Sequence, residues 1–256
     1  MMHYAKHIEM GFDGGAAFVV GCVLVTVMAR AAMGQSASPS KSEADRTQQS
    51  TDTPADVLSS DQWRRVDAAV KRGLTWLASQ QLPDGSFPTL DSGQPGATSL
   101  CILAYMVYGH VPGKGPYATR LGRAVGYVVG CQKPNGIIAK TGPEGPRITR
   151  SIEHEMGACA AYNHAISSLT ISEIYGMGAA SSAPRLKRAI QKSLDATFEM
   201  QNWPKDLASD LGGWRYIDDF DEVDSDLSVT GWELMFLRSA RNAGFNVPDQ
   251  RINAAI

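Results

Sequence analysis

The sequence has no C-x-x-C pair, no H-E-x-x-H, no excess of positive charge and, past its N-terminal segment, no apolar run long enough to cross a membrane. Each absence removes a class of function. Four cysteines, Cys22, Cys101, Cys131 and Cys159, are spaced for neither a zinc knuckle nor a thioredoxin motif. The last three fall in predicted helices, where buried free thiols are the expectation, with a bridge left open by the signs of export. A formal net charge of -2 and a pI near 6.2 leave no basic field for nucleic acid. Glu153-His154-Glu155 lacks the helical spacing of a zinc-protease site. Asp218, Asp219, Asp221 and Glu222 lack the spacing and the glycine of a calcium-binding EF-hand. No metal and no cofactor are expected.

What is present begins with an apolar run from Ala16 to Ala29. It is shorter than the roughly 20 residues a membrane span needs. It fits the apolar part of a signal peptide, with Ala29-Arg30-Ala31 and Ala32-Met33-Gly34 as small-x-small cleavage candidates. Residues 1–34 thus read as a signal peptide or an uncleaved membrane anchor. The chain is expected to be exported: periplasmic, secreted or attached to the membrane through its N-terminus. Residues 35–60 are rich in Ser, Thr, Gln, Pro and Asp and poor in large apolar side chains, so they read as a flexible linker. A domain over residues 61–256 follows, with Asp61 as its first helix cap.

That domain alternates two kinds of helix. Val66, Val70, Leu74 and Leu77 make one face of an amphipathic helix that ends before Gln81 and Asp84-Gly85. Leu100 to Tyr108 is apolar on every side, which predicts a buried helix opened by the cap signal Thr98-Ser99. Leu121, Ala124, Val125 and Val128 start a second pair, ending at Gln132 and Asn135-Gly136, and Met156 to Tyr175 is its apolar member. Leu186, Ile190, Leu194, Thr197 and Phe198 start a third, ending at Gln201, and Ser228 to Ala243 completes it. Thr98, His164 and Thr230 are each 66 residues apart. A helical pair recurring at that period predicts an inner layer of buried helices and an outer layer with one wet face. Pro248, Ile252 and Ile256 read as the start of a fourth amphipathic helix, either a short terminal cap or, as the preferred reading, the sign that the chain is a piece of a longer repeat protein.

Gln80-Gln81 with Asp84-Gly85-Ser86-Phe87, the Gly213-Trp214 turn, Tyr162-Asn163-His164-Ala165, and Asp226-Leu227-Ser228-Val229-Thr230-Gly231-Trp232 resemble the repeats of the squalene–hopene cyclase and protein prenyltransferase superfamily, and most nearly its exported bacterial members of undefined activity. The resemblance covers roughly residues 61 to 256. It implies an all-α fold, an α/α toroid of paired inner and outer helices, incomplete at about three hairpins. It also implies an isoprenoid or other apolar ligand in a central cavity. In cyclases of this family an Asp-x-Asp-Asp motif carries the acid that protonates an alkene. Here the motif reads Asp224-Ser225-Asp226-Leu227, with Asp226 at the acid position, Asp224 beside it and Leu227 in place of the third acid. The zinc prenyltransferases need a thiolate two residues after an Asp, and Asp226 stands there instead, so a cyclase-like isomerase is the enzymatic reading.

Each candidate has a plainer role beside it. Asp224 and Asp226 precede a helix, where carboxylates cap and complement the dipole. Tyr162, His164, Trp232 and Phe236 lie on inner helices as candidate ligand contacts, and equally as core. A non-catalytic exported toroid that binds a protein or glycan partner is the alternative function. A carbohydrate-active enzyme on the same scaffold is disfavoured because no second acid stands out on an inner helix.

Overall fold

A computed structural model of the chain describes residues 57–150, 152–177, 183–218 and 224–256. The signal or anchor segment, most of the linker, and Asp219, Asp221 and Glu222 lie outside the described residues. The described chain is 61% helix with no strand, so the all-α expectation holds. Two compact units divide it, the first ending at Trp76 and the second running from Leu77 to Ile256.

The described part of the first unit is most of helix α1, Ser60–Gln80. Its cap is Ser59 rather than Asp61. The Ser59 hydroxyl accepts from Gln62 N–H and the Gln62 side chain accepts from Ser59 N–H, a reciprocal capping box. Asp61 instead pairs with Arg64 one turn on.

The second unit contains α2 (Gly96–Val107), α3 (Ala118–Gly130), α4 (His154–Gly176), α5 (Ala183–Gln201), α6 (Leu227–Asn242) and the short α7 (Asp249–Asn253). Helix α4 is flanked by α2 and α6, and these three make one layer. Helix α3 packs on α2 and α4, and α5 on α4 and α6, so the amphipathic pair forms a second layer over the seams of the first. Composition explains the division. Gly157, Ala160, Ala161, Ala165, Ser167, Ser168 and Ser172 give α4 small side chains that let neighbours approach on several sides, and all are buried. Helix α5 buries Leu186, Ile190 and Leu194 and exposes Arg185, Lys187, Arg188 and Lys192. Each of those three apolar side chains contributes about 2 kcal/mol by leaving water.

The same joint follows α1, α3 and α5 along the chain. The Gln81 amide donates to Gly85 O at 3.0 Å and to Arg120 O in α3 at 2.9 Å. The Gln132 amide donates to Gly136 O at 3.2 Å and to Ala189 O in α5 at 2.8 Å. The Gln201 amide donates to Gly212 O at 2.9 Å and to Arg251 O in α7 at 2.8 Å. One side chain therefore pins its own turn to the next helix of the outer layer. The turn glycine then lies against a carbonyl one helical turn further along. A Cβ at Gly85, Gly136 or Gly212 would stand 2.5, 2.2 or 1.9 Å from the oxygen of Arg123, Lys192 or Ala254. Two residues after the glycine, the backbone N–H of Phe87, Ile138 or Trp214 donates into the inner layer. Its acceptors are Thr98 Oγ1 (3.0 Å), His164 Nδ1 (3.1 Å) and Thr230 Oγ1 (3.0 Å). These are the residues that the sequence spaces 66 apart.

Two expectations are corrected in detail. Thr98 does not cap α2: that helix starts at Gly96, and the Thr98 hydroxyl, inside it, receives the Phe87 N–H and donates to Gln94 Oε1 at 2.8 Å. The third turn is longer than the others, and the 3-10 turn Ala208–Asp210 fills the added length before Gly212.

Candidate functional site

The acidic loop enters α6 through Asp224, Ser225 and Asp226. Asp224 is a buried anchor. Its Oδ2 receives Arg150 Nη2 at 3.0 Å and lies 3.2 Å from Lys205 Nζ, while its backbone N–H donates to Asp210 Oδ2 at 2.6 Å. The Lys205 and Asp224 side chains are 1% and 3% exposed. Burial pulls the Lys205 ammonium below its ordinary value, and the Asp224 charge opposes it. Arg150 stacks over Trp203 at 4.9 Å and donates through Nε to Asp218 O at 2.6 Å. Two cations and two carboxylates thus hold the loop ends together.

Asp226 caps α6. Its Oδ1 accepts from Val229 N–H at 2.9 Å and from the Ser228 hydroxyl at 2.6 Å. Partial burial pushes its carboxyl up. Hydrogen bonds from Ser228 and Val229, together with the Arg215 charge, outweigh that and leave it below its ordinary value. It is therefore ionised at neutral pH. Because the Ser228 proton goes to Asp226, the Tyr162 hydroxyl donates to Ser228 Oγ. The Tyr162 ring lies 6.1 Å from Tyr216, Tyr216 meets His154 edge-on at 5.5 Å, and His154 Nδ1 is 2.9 Å from Asp218 Oδ2. The Arg215 guanidinium lies 5.5 Å over the Tyr216 ring. Asp226, Ser228, Tyr162, Tyr216, His154 and Asp218 thus form one continuous rim at the N-terminal ends of α4 and α6.

Below the rim the character changes. Tyr162, Ile166 and Leu169 share a stripe of α4, since steps of four and three residues stay on one helix face. Ser228, Trp232 and Met235 hold the same positions on α6, and Gly96, Leu100 and Leu103 on α2. This face lies about 200° around α4 from His164, which points into the outer layer. Leu100, Trp232 and Met235 are half-buried, and Ile166, Leu103 and Leu169 retain a little exposure. The face is apolar and partly open.

Of the ligand-contact candidates, Tyr162 is on the rim and Trp232 on the apolar face. His164 and Phe236 are fully buried, with ring centroids 6.5 Å apart, and belong to the packing beneath. Tyr216, Ser228 and Arg215 escape sequence reasoning, which weighs His154 and Asp218 only as metal ligands, because the five meet only once α4 and α6 are side by side.

A further acid lies where none was expected. Glu233, one residue after Trp232, is fully buried on α6. Thr197 of α5 donates its hydroxyl to Glu233 Oε2 at 3.0 Å. Because Ile138 N–H occupies His164 Nδ1, the imidazole proton sits on Nε2, which donates to Thr197 Oγ1 at 3.1 Å. Among the described residues, Glu233 Oε1 has no hydrogen-bond partner. Burial raises this carboxyl to about 8, against a smaller pull from Thr197. Burial lowers His164 to about 3, against a smaller pull from the Ser193 backbone. Both groups are uncharged at neutral pH. The signal available in the sequence was a lone carboxylate inside the apolar run from Trp232 to Leu237.

Among the described residues, no three or more His, Cys, Asp or Glu side chains gather as metal ligands, and no helix is long and apolar enough to cross a membrane. Cys101, Cys131 and Cys159 are free thiols. Comparison of the chain with protein-family models, with curated proteins and with solved structures finds no match.

Proposed function

We propose that the chain is part of an exported α/α toroid of the squalene-cyclase and prenyltransferase kind, and that its inner wall binds an isoprenoid or other apolar ligand. The observation that carries this reading is the stripe of Leu100, Ile166, Trp232, Leu103, Leu169 and Met235, continuous across three adjacent helices and partly open. A soluble domain leaves such a face apolar where something apolar is to lie on it. The polar rim above suits a ligand with one polar end.

The reading is of binding and not of alkene protonation. Asp226 is an ionised cap with its Oδ1 filled by Val229 and Ser228, so at neutral pH it has no proton to give. Leu227, at the position of the third acid, is 91% exposed and supports no neighbouring carboxyl. Asp224, neutralised by Arg150 and Lys205, serves the loop.

The test is mass spectrometry of lipids retained by the purified full chain, with farnesol titrated against Trp fluorescence. Retained isoprenoid and a saturable change that Ile166→Asp abolishes and Asp226→Asn preserves are expected. No retained apolar ligand and no response to farnesol would sink the reading. The alternative, a non-catalytic toroid that binds a glycan or protein, draws on the rim tyrosines Tyr162 and Tyr216. It gains if Tyr216→Ala weakens capture of a glycan while Ile166→Asp does not.

A further inference from the structure

We propose that Glu233 makes the seam between α4, α5 and α6 a proton-controlled latch, closed while its carboxyl is neutral and opened when the proton is lost. The geometry leaves the anion no compensation. Helix α4 brings only the neutral His164 toward it, and that imidazole bonds Thr197 rather than the carboxyl. Glu155 and Glu173 of α4 lie at accessible positions. Helix α5 brings the Thr197 hydroxyl, while its Arg188, Lys192, Asp195 and Glu199 are all exposed. On α6 itself, Arg238 and Arg241 are exposed.

The recurring register explains the unpaired oxygen. Across α2 and α4, Ser99 Oγ and Ser167 Oγ meet at 2.9 Å. Moved along by 66 residues, the same register sets Ala165 against Glu233. A methyl group stands where the earlier register has a hydroxyl, and among the described residues Oε1 is left without a hydrogen-bond partner. A neutral acid tolerates that at modest cost, whereas an unpaired buried carboxylate does not. Ionisation must admit water, and water enters only if α6 parts from α4 and α5. The inference does not depend on what the open face binds.

The folded carboxyl holds its proton up to about pH 8, whereas a free Glu loses it near 4.5. The contribution of the neutral form to folding is therefore complete below about pH 4.5, declines as pH rises, and is fully lost above about pH 8. The experiment is urea unfolding of the full chain and of Glu233→Gln from about pH 6 to about pH 9. The ratio of wild-type to variant folding constants should fall roughly a hundredfold between about pH 6 and about pH 8 and then level off. A ratio flat across this range overturns the proposal. Should Glu233→Gln fail to fold, infrared spectroscopy of the wild type with carbon-13-labelled Glu decides. A protonated-carboxyl band at neutral pH, lost above about pH 8 as α6 amides exchange faster, supports the latch. Absence of that band in the folded protein overturns it.

Discussion

Gly136→Ala and Gly109→Ala separate two costs that are usually confounded. Both glycines have a left-handed backbone, with φ of 93° and 90°. Around Gly109 a Cβ meets nothing within 4 Å among the described residues, whereas at Gly136 it would stand 2.2 Å from Lys192 O. At Gly109 only the backbone penalty acts, about 1–2 kcal/mol, and the stiffer unfolded chain returns about half of that. The net is about 1 kcal/mol, or a fall of about 3 °C in Tm for a domain of this size. At Gly136 the same penalty is joined by a backbone oxygen roughly 1 Å inside contact distance. Relief requires α5 to move off the turn, which stretches the Gln132 bonds to Ala189 O, at 2.8 Å, and to Ser193 Oγ, at 3.2 Å. Losing those adds about 1 kcal/mol each, while the Ala189 carbonyl keeps its bond within the helix. The total is about 3 kcal/mol or above, and Tm should fall by about 8 °C or more. Thermal unfolding followed by far-UV circular dichroism measures both variants. Equal midpoints for the two would refute the claim that the joint is closed by backbone contact.

Two further outcomes follow from the same geometry. Asp226→Ala should cost about 1 kcal/mol in urea unfolding and Asp226→Asn a few tenths, since Asn also accepts the Val229 N–H; equal losses would show that charge, not the cap bond, matters. His164 is held neutral, with its folded value lowered to about 3 from 6.5, so its contribution is present above about pH 6.5 and is lost as pH falls toward about 3. His164→Thr keeps an acceptor for Ile138 N–H, as Thr98 and Thr230 do in the other two joints, and costs about 1–3 kcal/mol at neutral pH through the space it leaves. Its acid limb should be flatter than that of the wild type, and identical pH profiles would contradict the assignment.

The two-layer arrangement was legible because its signal is redundant. Amphipathic spacing marks α3 and α5, all-round apolarity marks α2, α4 and α6, and the 66-residue step ties the inner helices together. The structure gives that step a cause: Thr98, His164 and Thr230 each accept one turn N–H, a task that fixes the distance from turn to helix but not the residue type. Helix starts were less legible. The cap signal reads at Thr98-Ser99, yet Gly96 begins α2 because its N–H donates to Asn163 Oδ1 at 2.8 Å and a Cβ there would stand 2.5 Å from that oxygen. The reason for glycine sits on another helix, 67 residues away. Glu233 was hidden for the same reason. Its apolar neighbours from Trp232 to Leu237 hint at burial, but the partner that decides it, Thr197, sits on α5.

The acids of the loop before α6 look, in sequence, like the chemistry of the molecule. Their partners argue that they serve its architecture. Removing Lys205 would leave Asp224 buried with one cation and an Oδ1 that, among the described residues, already lacks a partner, a loss of about 3–5 kcal/mol by the usual cost of breaking a buried pair. Asp226 is bound in the same sense, because a carboxylate held below its ordinary value by a helix end is stabilised as an anion, and the same bonds oppose its acting as an acid. A group cannot be held most strongly in one protonation state and also transfer its proton readily at the pH where that state dominates. The described group with a raised carboxyl value is Glu233, and it faces the interior rather than the open wall. The raised carboxyl of Glu233 and the apolar face bearing Trp232 therefore lie on different faces of α6. That separation favours a wall that holds an apolar ligand, with a titrating group behind it that sets how firmly the helices close.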